Sequence, residues 1–250
     1  MDCLIGLGDF HSYIVWRMCG RVTQRTGELP GFVSVTGGPD PIRPPQPRWN
    51  GAPSQDFWII RKHPKTGEYQ RDRMVWGLIP YWCKDASGGR KPINAKSETV
   101  ASLPTFRDAY ARRRCLLPIE NFFEWKTVKG QRTKQPYAIA MKSGEPFALA
   151  AIWENWRLPG AEEWLRTFCV LTTNANELVS DIHDRMPVII ARSAYDRWLA
   201  NVEADARDLL VPHPSELMRM WPISTRVSKP DNDDPSILEE VDAIEERTLL

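Results

Sequence analysis

The 250-residue chain has 42% hydrophobic and 26% charged residues. That balance suits a globular domain burying about 70–75% of its unfolded surface, and no apolar run approaches the roughly 18–20 residues of a membrane span. The N-terminus lacks the basic start, apolar centre and small-residue cleavage site of a secretory signal. Five cysteines, odd in number, widely spaced and never arranged as C-x-x-C, argue against a disulfide framework or a structural zinc site and fit a reducing cytoplasm. The net charge of +1 conceals a polarity, because residues 1–143 hold 23 Lys and Arg against 12 Asp and Glu, while 144–250 hold 10 against 20. A basic first part is what a polyanion-binding face requires.

In chain order, residues 1–17 have no clean period and are expected to lie outside the fold. Residues 37–54 carry six prolines, so a loop is expected rather than helix or central strand. Strand patterns follow at 57–60 and 74–79, with a turn at Lys65-Thr66-Gly67. Leu103, Phe106, Ala109 and Tyr110 have helical spacing, which predicts a helix over 102–113 ending in the basic run Arg112-Arg113-Arg114. Short β segments are expected at 115–119, 122–127, 137–141, 147–153 and 167–172. A helix over 193–201, capped by Ser193, and a second over 215–220 complete the reading. The last twenty residues hold eight acids and one arginine, so a disordered tail is expected from Asp231. This pattern is a β-rich α+β domain without repeats.

The chemistry centres on Met18-Cys19-Gly20-Arg21. A cysteine is usually a small core hydrophobe. If Met18 is the initiator and is removed, however, Cys19 carries a free α-amine beside its thiol. That amine adds to an aldehyde to give a Schiff base, and the thiol then closes on the same carbon to form a five-membered ring. An α-amine titrates near 7.7–8.0, so roughly a tenth or more is neutral at pH 7. The step needs no metal and no cofactor.

Four segments keep company with Cys19. Trp76-Gly77-Leu78-Ile79-Pro80-Tyr81-Trp82 places aromatics and a proline in a turn after a strand, which can equally be core packing. Asn94-Ala95-Lys96-Ser97-Glu98-Thr99 sets an amide two residues from a cation, although Asn94 or Ser97 could cap a helix. Glu124 sits among Phe122, Phe123 and Trp125, facing solvent or buried on purpose, and a buried carboxylate is suited to moving a proton. His183-Asp184-Arg185-Met186-Pro187 puts an imidazole beside a cation in a turn, where a histidine is otherwise a structural hydrogen-bonder.

In this order the segments resemble the SOS response-associated peptidase (SRAP) family of abasic-site processing proteins. The resemblance spans nearly all of residues 18–230 and includes N-x-A-P at Asn50 to Pro53, R-C-L-x-P-x-x-x-F-x-E-W and L-T-T-x-A-N. It implies a single β-rich α+β domain, a barrel-like mixed sheet with flanking helices. The activity implied is binding of abasic sites in single-stranded DNA, with Cys19 trapping the ring-opened sugar as a thiazolidine crosslink in the DNA damage response. By the same resemblance Asn94 orients the amine or sugar, Glu124 shuttles protons and His183 assists ring opening and reversal. Arg21, Lys96 and Arg185 are implied as phosphate contacts, Thr172 as a polar contact, and Pro53 with Trp82 as a wedge against flanking bases. Lys96 stands where many relatives carry arginine, which keeps the charge but not the bidentate fork. No metal is implied. A cytoplasmic monomer, nucleoid-associated when bound to DNA, is expected.

With residues 1–17 attached, Cys19 has an amide nitrogen and cannot close the ring. A start at Met18, or processing before Cys19, is therefore expected, with 18–230 as the domain. The alternative reading is a cysteine peptidase that uses Cys19, His183 and Glu124 on an amide. A third is a non-catalytic nucleic-acid binder built on the basic half and eleven tryptophans.

Overall fold

The computed structural model describes residues 20–30, 46–84, 91–157, 160, 162–200 and 205–244. The expected extension 1–17, Met18 and Cys19 lie outside the described residues. The strands are β1 (Val22–Gln24), β2 (Arg48–Gly51), β3 (Asp56–Lys62), β4 (Tyr69–Trp76), β5 (Asn94–Lys96), β6 (Arg114–Ile119) and β7 (Asn121–Lys126). They continue with β8 (Gln135–Met141), β9 (Phe147–Trp156), β10 (Leu165–Asn174), β11 (Arg185–Pro187), β12 (Ile189–Ile190) and β13 (Met218–Pro222). Three short helices accompany them: α1 (Arg107–Arg112), α2 (Glu177–Ser180) and α3 (Tyr195–Leu199). The expected strand-rich α+β class is the class observed.

β10 pairs with β4 along one edge and with β9 along the other, so β10, β4, β3, β6 and β9 form a continuous ring of paired strands. The β10–β4 pairing is parallel and the others are antiparallel, which makes the sheet mixed. Around its rim, β5 and β11 add to β10, and β12 adds to β9. The second sheet has the order β13-β8-β7-β1-β2.

A curled sheet covered on both faces explains the unbroken apolar run of β9. Phe147, Leu149, Ala151 and Trp153 join one core cluster with Phe57, Trp76 and Phe168. The alternating Ala148, Ala150 and Ile152 join another, with Tyr110 of α1 and Tyr195 and Trp198 of α3. The period-two signal disappears because both faces are dry. In the first cluster Trp76 stacks on Phe168 with ring centroids 6.1 Å apart, and Phe57 meets Trp76 edge-on at 5.7 Å. Charge buried in the wall is paired: Arg61 Nε donates to Asp72, which Arg166 also approaches at 3.3 Å.

Several expectations change. The helix expected over 102–113 shrinks to Arg107–Arg112. Pro104 has no N–H and restricts Leu103, so the chain reaches the helix through turns. The strand expected over 74–79 stops at Trp76, where Gly77 takes φ 133° and sends its N–H to Phe168 O at 2.8 Å. The proline-rich stretch ends in a true strand, β2, paired with β1; residues 31–45 lie outside the description. Ser193 caps nothing, being inside the 3-10 turn Arg192–Ala194 that precedes α3. The helix expected over 215–220 is a 3-10 turn, Ser215–Leu217, followed by β13, because Met218 to Pro222 find the open edge of β8.

The tail expected to be disordered from Asp231 is packed against the fold over its described residues, 231–244. Ile237 is fully buried and packs with Phe123, Ala138, Trp221 and Val227 against the second sheet. The acids there act as local acceptors: Asp233 takes the Trp49 and Asn50 N–H groups, and Asp234 caps the turn Pro235–Leu238. Composition signals disorder only where acids lack such partners. Ile237→Ala is expected to destabilise the protein by about 2–4 kcal/mol in urea unfolding, the cost of a truncated core residue. A disordered tail would give no change.

Candidate active site

The described chain starts at buried Gly20, two residues before β1. β1 lies antiparallel to β7, with Val22 opposite Phe122, and Phe123 N donates to Arg21 O at 3.0 Å. The same register carried two residues further sets Gly20 against Glu124. Glu124 is 4% exposed, between fully buried Phe123 and partly buried Trp125. Of the two orientations left open by the sequence, the buried one is realised.

Arg21 turns inward. Its Nη1 donates to Asn50 Oδ1 at 2.7 Å and also reaches Val227 O, and Nη2 donates to Ser228 O at 2.9 Å. Burial lowers the guanidinium pKa. Asn50 is fully buried in β2, and its Nδ2 donates to the carbonyls of Val227, Lys229 and Asn232 at 3.0, 2.9 and 2.9 Å. Arg21, expected to meet a phosphate, is tied together with Asn50 to the C-terminal segment. Asn50 was legible only as part of a motif; its role depends on carbonyls about 180 residues away in sequence.

The rim of the ring gathers a second group. β5 runs parallel to β10, placing Asn94 beside Val170 and Lys96 beside Thr172. β11 approaches the other edge of β10, setting Arg185 opposite Asn174. Arg185 forks onto Glu98 at 2.7 and 2.9 Å and donates to Thr172 O at 2.6 Å. The Arg185 hydrogen bond holds the Glu98 carboxyl below its ordinary pKa. Thr172 is 1% exposed, whereas Lys96 is exposed. Glu98 escaped the sequence reading because only folding brings it to Arg185.

α2 leads into the histidine turn, its N-cap Asn176 accepting from Val179 N at 3.0 Å and Val179 O accepting from His183 N at 2.9 Å. Arg185 N lies 3.0 Å from His183 Nδ1, and Asp184 Oδ1 lies at the same distance. The backbone N–H needs a lone pair on Nδ1, so neutral His183 carries its proton on Nε2. The ion pair with Asp184, whose side chain is 88% exposed, would require protonation instead, and the fixed amide is the firmer constraint.

Thus β7 supplies Glu124, and the ring rim supplies Asn94, Lys96, Thr172, His183 and Arg185. One apolar cluster holds Val22 and Phe122 together with Val170, Val179 and Met186, so both groups hang on the same packed core. In the aromatic turn Trp76 is buried and donates Nε1–H to Ile93 O at 2.8 Å, while Trp82 is 42% exposed. Pro53 is partly exposed, in the turn between β2 and β3. Cys83, Cys115 and Cys169 are all buried, and burial raises the thiol pKa of the last two. A nucleophile needs the thiolate, so these two are inert. Among the described residues no three His, Cys, Asp or Glu side chains group as a metal site, and no helix is long and apolar enough to cross a membrane.

The family model described as SOS response associated peptidase (SRAP) matches residues 18–230. The chain belongs to the SRAP family. It is 38% identical over 196 residues to the abasic site processing protein YoqW of Bacillus subtilis (strain 168), covering 77% of this chain and 86% of that protein. It is 28% identical over 233 residues to the abasic site processing protein HMCES of Rattus norvegicus, covering 79% and 66%. A crystal structure of a Bacteroides thetaiotaomicron protein superposes with a TM-score of 0.66 at 30% identity, over 75% of this chain and 82% of the other. A phage-related protein of Bordetella bronchiseptica superposes at 0.62 and 25% identity, over 82% and 94%.

In this SRAP protein, Asn50→Ala strands carbonyls of the C-terminal segment and removes one of the acceptors of Arg21. The expected loss is about 2–3 kcal/mol, a fall in Tm of roughly 4–10 °C by scanning calorimetry. The lowered Glu98 pKa means that its contact with Arg185 is fully present above the ordinary carboxylate range and is lost as pH falls through the lowered value. An NMR titration of the Glu98 carboxyl is expected to have its midpoint below the ordinary range, and Arg185→Ala is expected to move it upward.

Proposed function

We propose that this protein captures abasic sites in single-stranded DNA through Cys19, with its amine freed by removal of Met18, as a DNA damage function. The Cys19 amine attacks the C1 aldehyde of the ring-opened sugar to give a carbinolamine. Loss of one water leaves an imine, and the thiol adds across it while its proton passes to nitrogen, closing a thiazolidine. The observation that carries this reading is buried Glu124 on β7, paired with the segment that begins one residue after Cys19. A carboxylate held there can take a proton from the attacking amine and return it to the departing hydroxyl.

His183, with Nε2–H as its free donor when neutral, assists opening of the sugar hemiacetal and reversal. Asn94 orients the amine or the sugar hydroxyls. Lys96 and Arg185 meet phosphates, with Arg185 already oriented by Glu98 and Thr172. Pro53 and Trp82 press on the bases beside the gap, where stacking tolerates any sequence. The names of the relatives, abasic site processing proteins, support the lesion class. The family match that begins at Met18 supports the start needed to expose Cys19.

The test is intact mass spectrometry of protein starting at Met18, incubated with a single-stranded oligonucleotide bearing one abasic site. The expected product is protein without Met18 plus one oligonucleotide minus one water, absent for Cys19→Ala and for protein that retains residues 1–17. Cleavage of a peptide substrate by protein with a blocked Cys19 amine, without any DNA adduct, would instead establish the cysteine peptidase reading.

A further inference from the structure

The surface carries a feature that capture at Cys19 does not use. Tyr81 and Trp164 are the most exposed large apolar side chains among the described residues, at 56% and 57%. Both line one cleft of about 390 Å3, together with Asp108, Arg112, Arg113, Glu154 and Asn155. Its size is that of small-ligand sites, ~300–1,000 Å3. Arg157 stands over one face of Trp164, 4.8 Å from the ring centre. A second cleft of about 240 Å3 adjoins it, sharing Arg112 and Arg113 and adding Lys62, Arg114 and Trp153. One cleft is aromatic, its neighbour is cationic, and Arg112 belongs to both.

The charges sort by their partners. Of the two acids in the first cleft, Glu154 is neutralised by Arg113 at 2.7 Å and Asp108 has Arg107 at 3.6 Å, while Arg114 is held by the carbonyls of Trp198 and Ala200. Arg112 is exposed and has no hydrogen bond or ion pair to its side chain among the described residues. No acid lines the second cleft, and Glu162 and Glu163, which precede Trp164, line neither. An exposed aromatic pair beside an uncommitted cation matches the two halves of a nucleotide: a flat base and a phosphate.

We infer that the clefts on either side of Arg112 form a second nucleic-acid subsite, holding one unpaired nucleotide of the strand that flanks the lesion. Its base lies against Tyr81 and Trp164, and its phosphate against Arg112 and Lys62. The inference rests on the proposed capture of single-stranded DNA, because Tyr81 directly follows Pro80 and precedes Trp82, which that reading places at the lesion. On that reading a strand held at Trp82 continues onto its chain neighbour Tyr81, and the subsite extends the footprint without competing with Cys19.

The experiment measures fluorescence anisotropy with oligonucleotides that lack an abasic site, in a graded series of lengths, for the wild type, Trp164→Ala, Trp164→Phe and Arg112→Gln. The two removals are expected to weaken binding of the longer strands about 5-fold or more and to leave the shortest unchanged, with Trp164→Phe restoring most of the loss. Arg112→Gln is expected to reduce the slope of log K against log salt by about 0.7 for the long strands. Equal affinity of all four proteins at every length overturns the inference. So does binding of dAMP that depends on Trp164 without any length effect on oligonucleotides, which would make the clefts a free-nucleotide site. Covalent capture of the shortest abasic oligonucleotide is read separately: its failure sinks the Cys19 mechanism, and length-dependent binding still reports on the subsite.

Discussion

The two-sided pairing of β10 is the constraint on which the structure depends. One edge of this strand takes β4 and then β5, and the other takes β9 and then β11. Without the β10–β9 ladder the ring would be an open sheet with two long edges, and the cluster around Phe57, Trp76 and Phe168 would lose a wall. The ends of β10 are equally committed, because Thr172 sits among Lys96, Ser97 and Arg185 where three strands meet. The rim that presents the candidate site residues is thus the outer end of the strand that closes the core.

A second dependency joins the two ends of the described chain. Arg21, two residues after Cys19, and Asn50 are both fastened to the segment 227–232, and Asp233 fastens back to β2. The segment that reads by composition as a loose acidic tail becomes a strap packed through Ile237. Buried carbonyls must be satisfied, and here a single amide satisfies three of them. This ties β1 and β2, which lie in the second sheet with the buried carboxylate of Glu124 on β7, to the C-terminal segment.

Electrostatically the molecule pairs several of its enclosed charges and leaves a few cations open. Arg61 and Asp72, Arg113 and Glu154, and Arg185 and Glu98 each satisfy one another. Lys96 and Arg112 are the exposed basic groups without such partners that matter to the readings above, one at the rim and one between the two clefts. On the two proposals, the basic first part of the chain would supply anion contacts at two separate places, Lys96 at the rim and Arg112 with Lys62 at the clefts, instead of one uniform face.

Sequence by itself determined the strand-rich class, most strand positions from 115 to 172, and the segments that carry Asn94, Glu124 and His183. Local apolar runs, turn residues and motif order are properties of neighbouring residues and survive without a fold. The ring closure, the burial of Glu124, the inward turn of Arg21 and the docking of residues 231–244 were decided only by tertiary structure. Each depends on partners far apart in the chain: β10 with β4, β1 with β7, and Asn50 with Val227. The helix expected at 215–220 failed for the same reason, since the unpaired edge of β8 offers Met218–Pro222 more hydrogen bonds than a short helix could. Spacing along a chain reports which face a residue prefers; which surface waits there is known only once the distant strands have met.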